Sequence, residues 1–196
     1  MLLPPGKLEA AFLAELLQSL PQAPEVILGP GIGHDVTVLD LGQPELLVVK
    51  TDPITFATDE IGYYAVAVNS NDIATSGGRP RWFLATVLLP AGVTTPALVR
   101  DLFRQLHEGC DQLGLALVGG HTEITAGLDR PVVVGQMLGQ VPRARLVRPD
   151  RVQPGDVILL TKSFPLEGTA LLARECGDEL RRRGYAADFV QRCAAF

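Results

Sequence analysis

The stretch from Thr51 to Pro80, TDPITFATDEIGYYAVAVNSNDIATSGGRP, restricts the architectures open to this chain more than any other part of it. An apolar run, Leu46 to Val49, delivers an acid, Asp52, to a strand end. Helical spacing starts at about Glu60 with Thr58 or Asp59 as the cap; Gly77-Gly78 ends the helix and Arg79-Pro80 forbids its continuation. Ala65, Asn69, Asp72 and Ser76 recur at helical intervals and form one stripe of small and polar side chains. A stripe that carries an amide and a carboxylate is ill suited to face core alone. The unit therefore offers Asp52 and Asp72 at its two ends, a pairing that suits a hard cation carrying phosphate.

On either side the chain alternates between the two periodicities. Residues 7–19 read as an amphipathic helix stopped by Pro21 and Pro24. Strands are expected at Val36–Leu41, Glu45–Thr51 and Trp82–Leu89. Thr95 caps the next helix, Pro96 takes its first position, and Val99, Leu102, Phe103, Leu106, Cys110 and Leu113 keep the period up to Gly114. A strand from Leu115 to Val118 then runs out into Gly119-Gly120-His121-Thr122-Glu123, and another spans Pro131–Gly139. Direct links mixed with crossovers predict an α+β domain: a mixed, largely antiparallel sheet with helices on one face. Its bare face needs a cover, and a second copy of the chain is the simplest one.

Beyond that domain, residues 1–140, the Pro- and Arg-rich segment 141–154 reads as a connector, and 155–196 as the start of a second α/β domain. There the sequence predicts a strand over Val157–Thr161, a helix over Glu167–Arg183 and a helical tail from Tyr185 to Phe196. A strand and two helices without partner strands cannot close a core, so either the second domain is truncated here or these elements pack onto the first.

Composition narrows the function classes. A net charge of −5 disfavours a nucleic-acid-binding face, and Arg181-Arg182-Arg183 reads as a solvated helix end. Cys110, Cys176 and Cys193 lie far apart without metal-binding spacing and fit reduced thiols in the cytoplasm. Pro4, Pro5, Lys7 and Glu9 break up the N-terminal apolar residues, so no signal peptide or membrane span is expected. The final Cys193-Ala-Ala-Phe196 matches a prenylation box in form but lacks a polybasic neighbour, and is set aside.

Several residues invite a functional and a plainer explanation. The three glycines of Gly29–Gly33 can bring backbone N–H groups to an anion, yet they form neither GxGxxG nor a P-loop, and taken alone a tight turn explains them better. Asp35 is a cation ligand or a strand-start acid; Asp52, before a proline, is a ligand or a turn cap; Asp72 is a ligand or a solvated helix residue. Together, each at an element end, the three acids carry more weight than any one of them. Gly119-Gly120 permits close approach of a ligand, Thr122 is a phosphate donor, Glu123 a metal ligand and His121 a proton shuttle; a bulge with a polar loop is the alternative. Neither Ser163 nor Cys110 has a histidine at a spacing that suggests a nucleophile.

Taken in order, Gly31-x-Gly33-x-Asp35, the strand ending in Thr51-Asp52, Asn71-Asp72-Ile-Ala with Gly77-Gly78-Arg-Pro80, and Gly119-Gly120-His121-Thr122 resemble the ATP-binding superfamily of aminoimidazole ribonucleotide synthetase (PurM-like). Hydrogenase maturation dehydratase, thiamine-monophosphate kinase and selenophosphate synthetase are its other branches. The resemblance implies an ATP site built mainly by the first domain and completed in a homodimer through the N-terminal domains. It implies Asp35, Asp52 and Asp72 as Mg2+ ligands on the ATP phosphates, with Glu123 as a possible substitute ligand. Gly31, Gly33, Asn71, Gly119, Gly120, His121 and Thr122 would line the nucleotide. The implied chemistry is phosphate transfer from ATP to an oxygen of a small substrate, with no catalytic residue assigned. Some branches carry acids where His34 and His121 stand, and neither the dehydratase's cysteine tail nor the selenium branch's reactive cysteine is present. The acceptor therefore stays open: a dehydratase-like or uncharacterised synthetase-related enzyme, a thiamine-monophosphate kinase or a cyclo-ligase. A non-catalytic nucleotide-binding or assembly module is the rival reading.

Overall fold

The computed structural model describes every residue except 1, 22, 58, 163 and 196. Its strands are β1 (Val26–Leu28), β2 (Thr37–Leu39), β3 (Glu45–Ile54), β4 (Arg79–Pro90), β5 (Ala116–Thr125) and β6 (Val132–Pro142). They form one sheet in the order β1-β2-β3-β6-β4-β5. All neighbours are antiparallel except β4 and β5, which run parallel. Because β3 and β4 are both antiparallel to β6, they are parallel to each other. The helix between them, α2 (Ile61–Thr75), makes a crossover that straddles β6, and α3 (Pro96–Leu113) makes the next one, from β4 to β5.

Both crossover helices lie on the same sheet face. Along β3, β4 and β6 the residues pointing at them alternate with less buried ones: Leu46 and Val48, then Phe83 and Val87, then Val133, Met137 and Val141 are buried. This is the one-sided α+β arrangement that the sequence predicts. α2 is apolar on more than one side because it is squeezed between sheet and α3, burying Ile61, Ala65, Val66, Asn69, Ser70 and Ile73. The close fit depends on missing side chains. A Cβ on Gly135 of β6 would lie 2.3 Å from Asn69 Nδ2, and one on Gly139 would lie 2.6 Å from Ile73 Cγ2.

The helix with the strongest sequence signals is realised with its predicted ends. Thr95 accepts from the Leu98 amide at 3.2 Å, and Gly114 closes α3 in the left-handed conformation. Elsewhere the structure departs from expectation. β1 has no forerunner in the sequence reading, since three residues are too few for a period to register. The N-cap of α2 is Glu60 with a left-handed backbone, rather than Asp59; Thr58 falls outside the described residues. β5 runs from Ala116 through Thr125, so the Gly119–Glu123 segment lies inside a strand, not in a loop after it.

The largest correction is beyond residue 142. Two 3₁₀ turns, Arg143–Arg145 and Pro149–Arg151, occupy the connector segment. Val157–Thr161 is not a strand: it pairs with no other described residue and Ile158 is 98% exposed. Apolar and β-branched composition cannot make a strand without a neighbour to bond. The helix expected over 167–183 breaks at Cys176 into α4 (Leu166–Glu175) and α5 (Gly177–Arg182), and α6 (Ala187–Ala194) follows. α4 leans on the first helices: Leu171 packs against the core, and Arg174 pairs with Asp59 at 3.2 Å and Glu60 at 3.1 Å.

Candidate functional site

The period of two along β3 puts Lys50 and Asp52 on the helix-covered face, in line with buried Leu46 and Val48. β2 reaches only as far as Val49, so β3 is an edge from Lys50 onward, where Pro53 is tolerated. That edge leaves room for a cavity of about 650 Å³ between the end of β3 and α2. Asp72 enters it from α2, Asp35 from the turn before β2, and Glu167 and Leu171 from α4. Three acids remote in sequence thus share one cavity.

Lys50 organises them. Its Nζ lies 2.7 Å from Asp72 Oδ2 and 3.4 Å from Asp52 Oδ2, with the lysine side chain only 16% exposed. Burial works against the Lys50 charge, but hydrogen bonding and attraction to Asp72 and then Asp52 outweigh it and raise its pKa above the ordinary lysine value. Asp72 is also raised: burial dominates, Lys50 opposes, and the negative charges of Asp35 and Asp52 add to the rise. The two shifts point in opposite senses for one ion pair. The geometry resolves them: Lys50 has two carboxylates to answer, whereas Asp72 shares Lys50 with Asp52 and stands beside Asp35.

Asn69 holds this arrangement from beneath. It is fully buried, and its Nδ2 donates to the Ala65 carbonyl at 2.8 Å and to the Asp52 carbonyl at 3.3 Å. One side chain therefore ties α2 to the strand position that carries the acid. Lys50, Asn69 and Glu167 were missed in the sequence reading. Lys50 was legible from its i, i+2 relation to Asp52, and Asn69 from the polar stripe, where an amide amid alanines needs a partner. Glu167 comes from a distant helix and had no local signal.

The other candidates lie elsewhere. Gly31 and Gly33 form a turn closed over His34, whose Nδ1 sits 2.8 Å from the Gly29 carbonyl; neither glycine lines the acid cavity. Asn71 is exposed on α2 and does not line it either. Gly119, Gly120, His121, Thr122 and Glu123 lie on β5, at the opposite side of the sheet from β3 with β6 and β4 between. Three strand spacings make that about 14 Å, so Glu123 does not join Asp35, Asp52 and Asp72 within one chain. His121 Nε2 lies 3.1 Å from Glu123 Oε2, with both side chains exposed. Gly119–Thr122 instead border a smaller cavity of about 190 Å³ beside Phe103, Leu106 and Leu117.

Among the described residues no three His, Cys, Asp or Glu side chains close a metal site by themselves. The donor set nevertheless fits a phosphate-borne Mg2+, which takes one or two carboxylates and fills its remaining positions with water and phosphate oxygens. The Lys50 ammonium already shows one positive centre held by both Asp52 and Asp72.

Solved structures share the architecture. The hydrogenase maturation protein HypE in complex with ATP superposes with a TM-score of 0.62 at 26% identity, over 80% of this chain and 47% of that one. A one-sided α+β domain of the PurM-like type is thereby defined. The chain belongs to the AIR synthase related protein family, whose N-terminal domain it matches over residues 33–141. It is 35% identical over 141 residues to the phosphoribosylformylglycinamidine cyclo-ligase of Exiguobacterium sibiricum, covering 66% of this chain and 40% of that protein. It is 30% identical over 145 residues to the carbamoyl dehydratase HypE of Rhodobacter capsulatus, covering 73% and 41%. The chain spans less than half the length of these curated relatives. No helix among the described residues is long and apolar enough to cross a membrane.

Proposed function

We propose that this chain binds ATP with Mg2+ and serves phosphate transfer from ATP to an oxygen of a small substrate, as a dehydratase-like or synthetase-related member of its family. The observation that carries the reading is the convergence of Asp35, Asp52 and Asp72, from three separate elements, on one cavity. The ATP complex of the HypE neighbour supports the choice of nucleotide. When bound, Mg2+ supplies charge neutralisation at the phosphates.

The chain's own residues hold and orient. Asp52, Asp72 and Asp35 would hold the cation, and Asn69 ties β3 to α2 through the Asp52 carbonyl. Gly31, Gly33, Asn71, Gly119, Gly120, His121 and Thr122 are the proposed nucleotide contacts, and Glu123 a further metal ligand. Those on β5 are about 14 Å from the acids in one chain; they meet them in this reading from a second copy. A homodimer through the N-terminal domains would also cover the open sheet face, where Leu47, Val49, Val134 and Leu138 are only partly buried. Residues 1–140 are then the binding and dimerisation domain, 141–154 the connector and 155–196 the opening of a second domain. No protein nucleophile is needed, and Cys110 is a poor one: burial pushes its thiol up to about 11.

Calorimetry with Mg-ATP tests the site. Asp52→Asn and Asp72→Asn each lower affinity by about tenfold or more, because a charged metal ligand is lost. If both variants bind like the wild type, the site is elsewhere. A second reading, a nucleotide-binding module without turnover, draws on His34 and His121, which stand where some branches of the family carry acids. Turnover against small carbamoyl, amidine and phosphate-ester acceptors separates the two.

A further inference from the structure

We propose that Lys50 is a resident counter-cation: it occupies the point between Asp52 and Asp72 that a metal ion would share, and it yields that point only when metal and triphosphate arrive together. The proposal rests on the reading of this cavity as the ATP site and concerns how that site is loaded. Lys50 Nζ is within 2.7 Å of one carboxylate and 3.4 Å of the other. An ammonium and a divalent ion cannot both bridge the same two carboxylates. Sharing them sets the two positive charges a few ångströms apart in a partly buried site, where repulsion is screened far less than in water.

The supports on either side are rigid, and the lysine stem is not. Asp52 is fixed by β3 pairing with β6 and by the Asn69 bond to its carbonyl, while Asp72 is fixed by α2. Lys50 reaches its place through four methylenes with free rotation. Its head opens onto the same cavity that Asp35, Tyr64 and Glu167 line, so the ammonium has space to leave the acids without any backbone movement. A triphosphate entering with its metal supplies the replacement partner: the metal takes the carboxylates, and the released ammonium pairs with a phosphate oxygen. The metal's charge then answers the carboxylates, and the ammonium answers a phosphate oxygen in their place. Without the triphosphate, a bare metal ion has to strand the lysine next to it.

Three consequences follow from that exchange. Free metal binds weakly, nucleotide raises metal affinity, and removing the lysine charge uncouples the two. A purely structural Lys50–Asp72 ion pair does not predict the third, because phosphate oxygens raise metal affinity with or without the lysine charge.

Mn2+ retained with the protein in equilibrium dialysis, with the same nucleotide concentration on both sides of the membrane, is the probe. Wild type, Lys50→Met and Lys50→Arg are compared without nucleotide and with a non-hydrolysable ATP analogue. Methionine keeps most of the stem and removes the charge; arginine keeps the charge. Without nucleotide, Lys50→Met binds Mn2+ about tenfold tighter than the wild type, whereas Lys50→Arg stays weak. The analogue tightens Mn2+ binding in the wild type by a comparable factor and much less in Lys50→Met. Mn2+ also raises the thermal midpoint of Lys50→Met more than that of the wild type, which reports binding even if the variant is less stable. Equal Mn2+ affinity in wild type and Lys50→Met overturns the lysine inference and leaves the ATP site standing. Absence of Mn2+ binding in all three, with and without analogue, overturns the site itself.

Discussion

The end of β3 and the length of β5 are both polar stretches on one sheet, and they are built in opposite ways. At β3 the functional side chains rest on buried supports: Asn69 of α2 bonds the Asp52 carbonyl, and β6 pairs alongside. At β5 almost every residue from Ala116 to Ile124 is exposed, and one side of the strand pairs with nothing described. A single chain therefore fixes the acid cavity but only presents the glycine strand. An unpaired edge with two glycines and few apolar anchors acquires definite geometry when another surface meets it. The difference teaches which half of the candidate site is preorganised and which half waits for a partner.

Glycine substitutions break or confirm that contrast with the largest effect. Gly135 sits where a Cβ would meet Asn69 Nδ2 at 2.3 Å and Phe83 Cε2 at 2.8 Å, so Gly135→Val must displace the buried Asn69 amide and the Phe83 ring. It is expected to cost about 3 kcal/mol in urea unfolding. At Gly119 the nearest atom to an added Cβ is Leu84 Cδ2 at 3.8 Å, an ordinary contact. Gly119→Val should stay within roughly 0.5 kcal/mol of the wild type. Similar losses at both positions would mean that β5 is as firmly built as the cavity.

Asn69→Ala gives a smaller effect on the cavity side. It removes two hydrogen bonds from a fully buried amide, and the Asp52 carbonyl loses one of its partners. A loss of about 1–2 kcal/mol in unfolding free energy is expected. The gain from removing Asn69 Oδ1, a buried acceptor with no partner among the described residues, moderates it. An unchanged stability would show that the amide does not tie α2 to β3.

The same contrast explains what could be read without coordinates. α3 announces itself because cap, first-turn proline, apolar period and terminal glycine all agree, and such agreement is rarely accidental. The three acids were legible because each stands at or near an element end, and topology brings those ends together. The length of β5 was not legible: Gly119-Gly120 is turn chemistry by composition, and only pairing to Ala85 and Leu84 makes it strand. At Gly120 a Cβ would fall 1.9 Å from the Ala85 carbonyl oxygen, so that glycine serves close strand approach and not a turn. Val157–Thr161 failed in the other direction, having strand composition and no neighbour to pair with. Lys50 carried one signal, its i, i+2 relation to Asp52, but a lysine at the end of an apolar strand reads as a solvated edge residue until Asp72 is placed beside it.

The smallest effect on stability is expected at His121 and Glu123, and it bears most directly on the comparison. Their side chains are 63% and 49% exposed, and an exposed pair of this kind contributes about 0–1 kcal/mol. Glu123→Gln should therefore leave unfolding almost unchanged. Its effect on Mg-ATP binding depends on assembly. If β5 enters the site from a second copy, the variant weakens binding at protein concentrations where sedimentation shows a dimer, and matches the wild type when the chain is diluted to monomer. If it matches the wild type at every concentration, β5 contributes no ligand through Glu123, and the cavity between β3 and α2 is left to hold the metal with its own three acids. Weakening that persists in the monomer would demand a path by which an edge strand three places across the sheet reaches Asp52, and no contact among the described residues provides one.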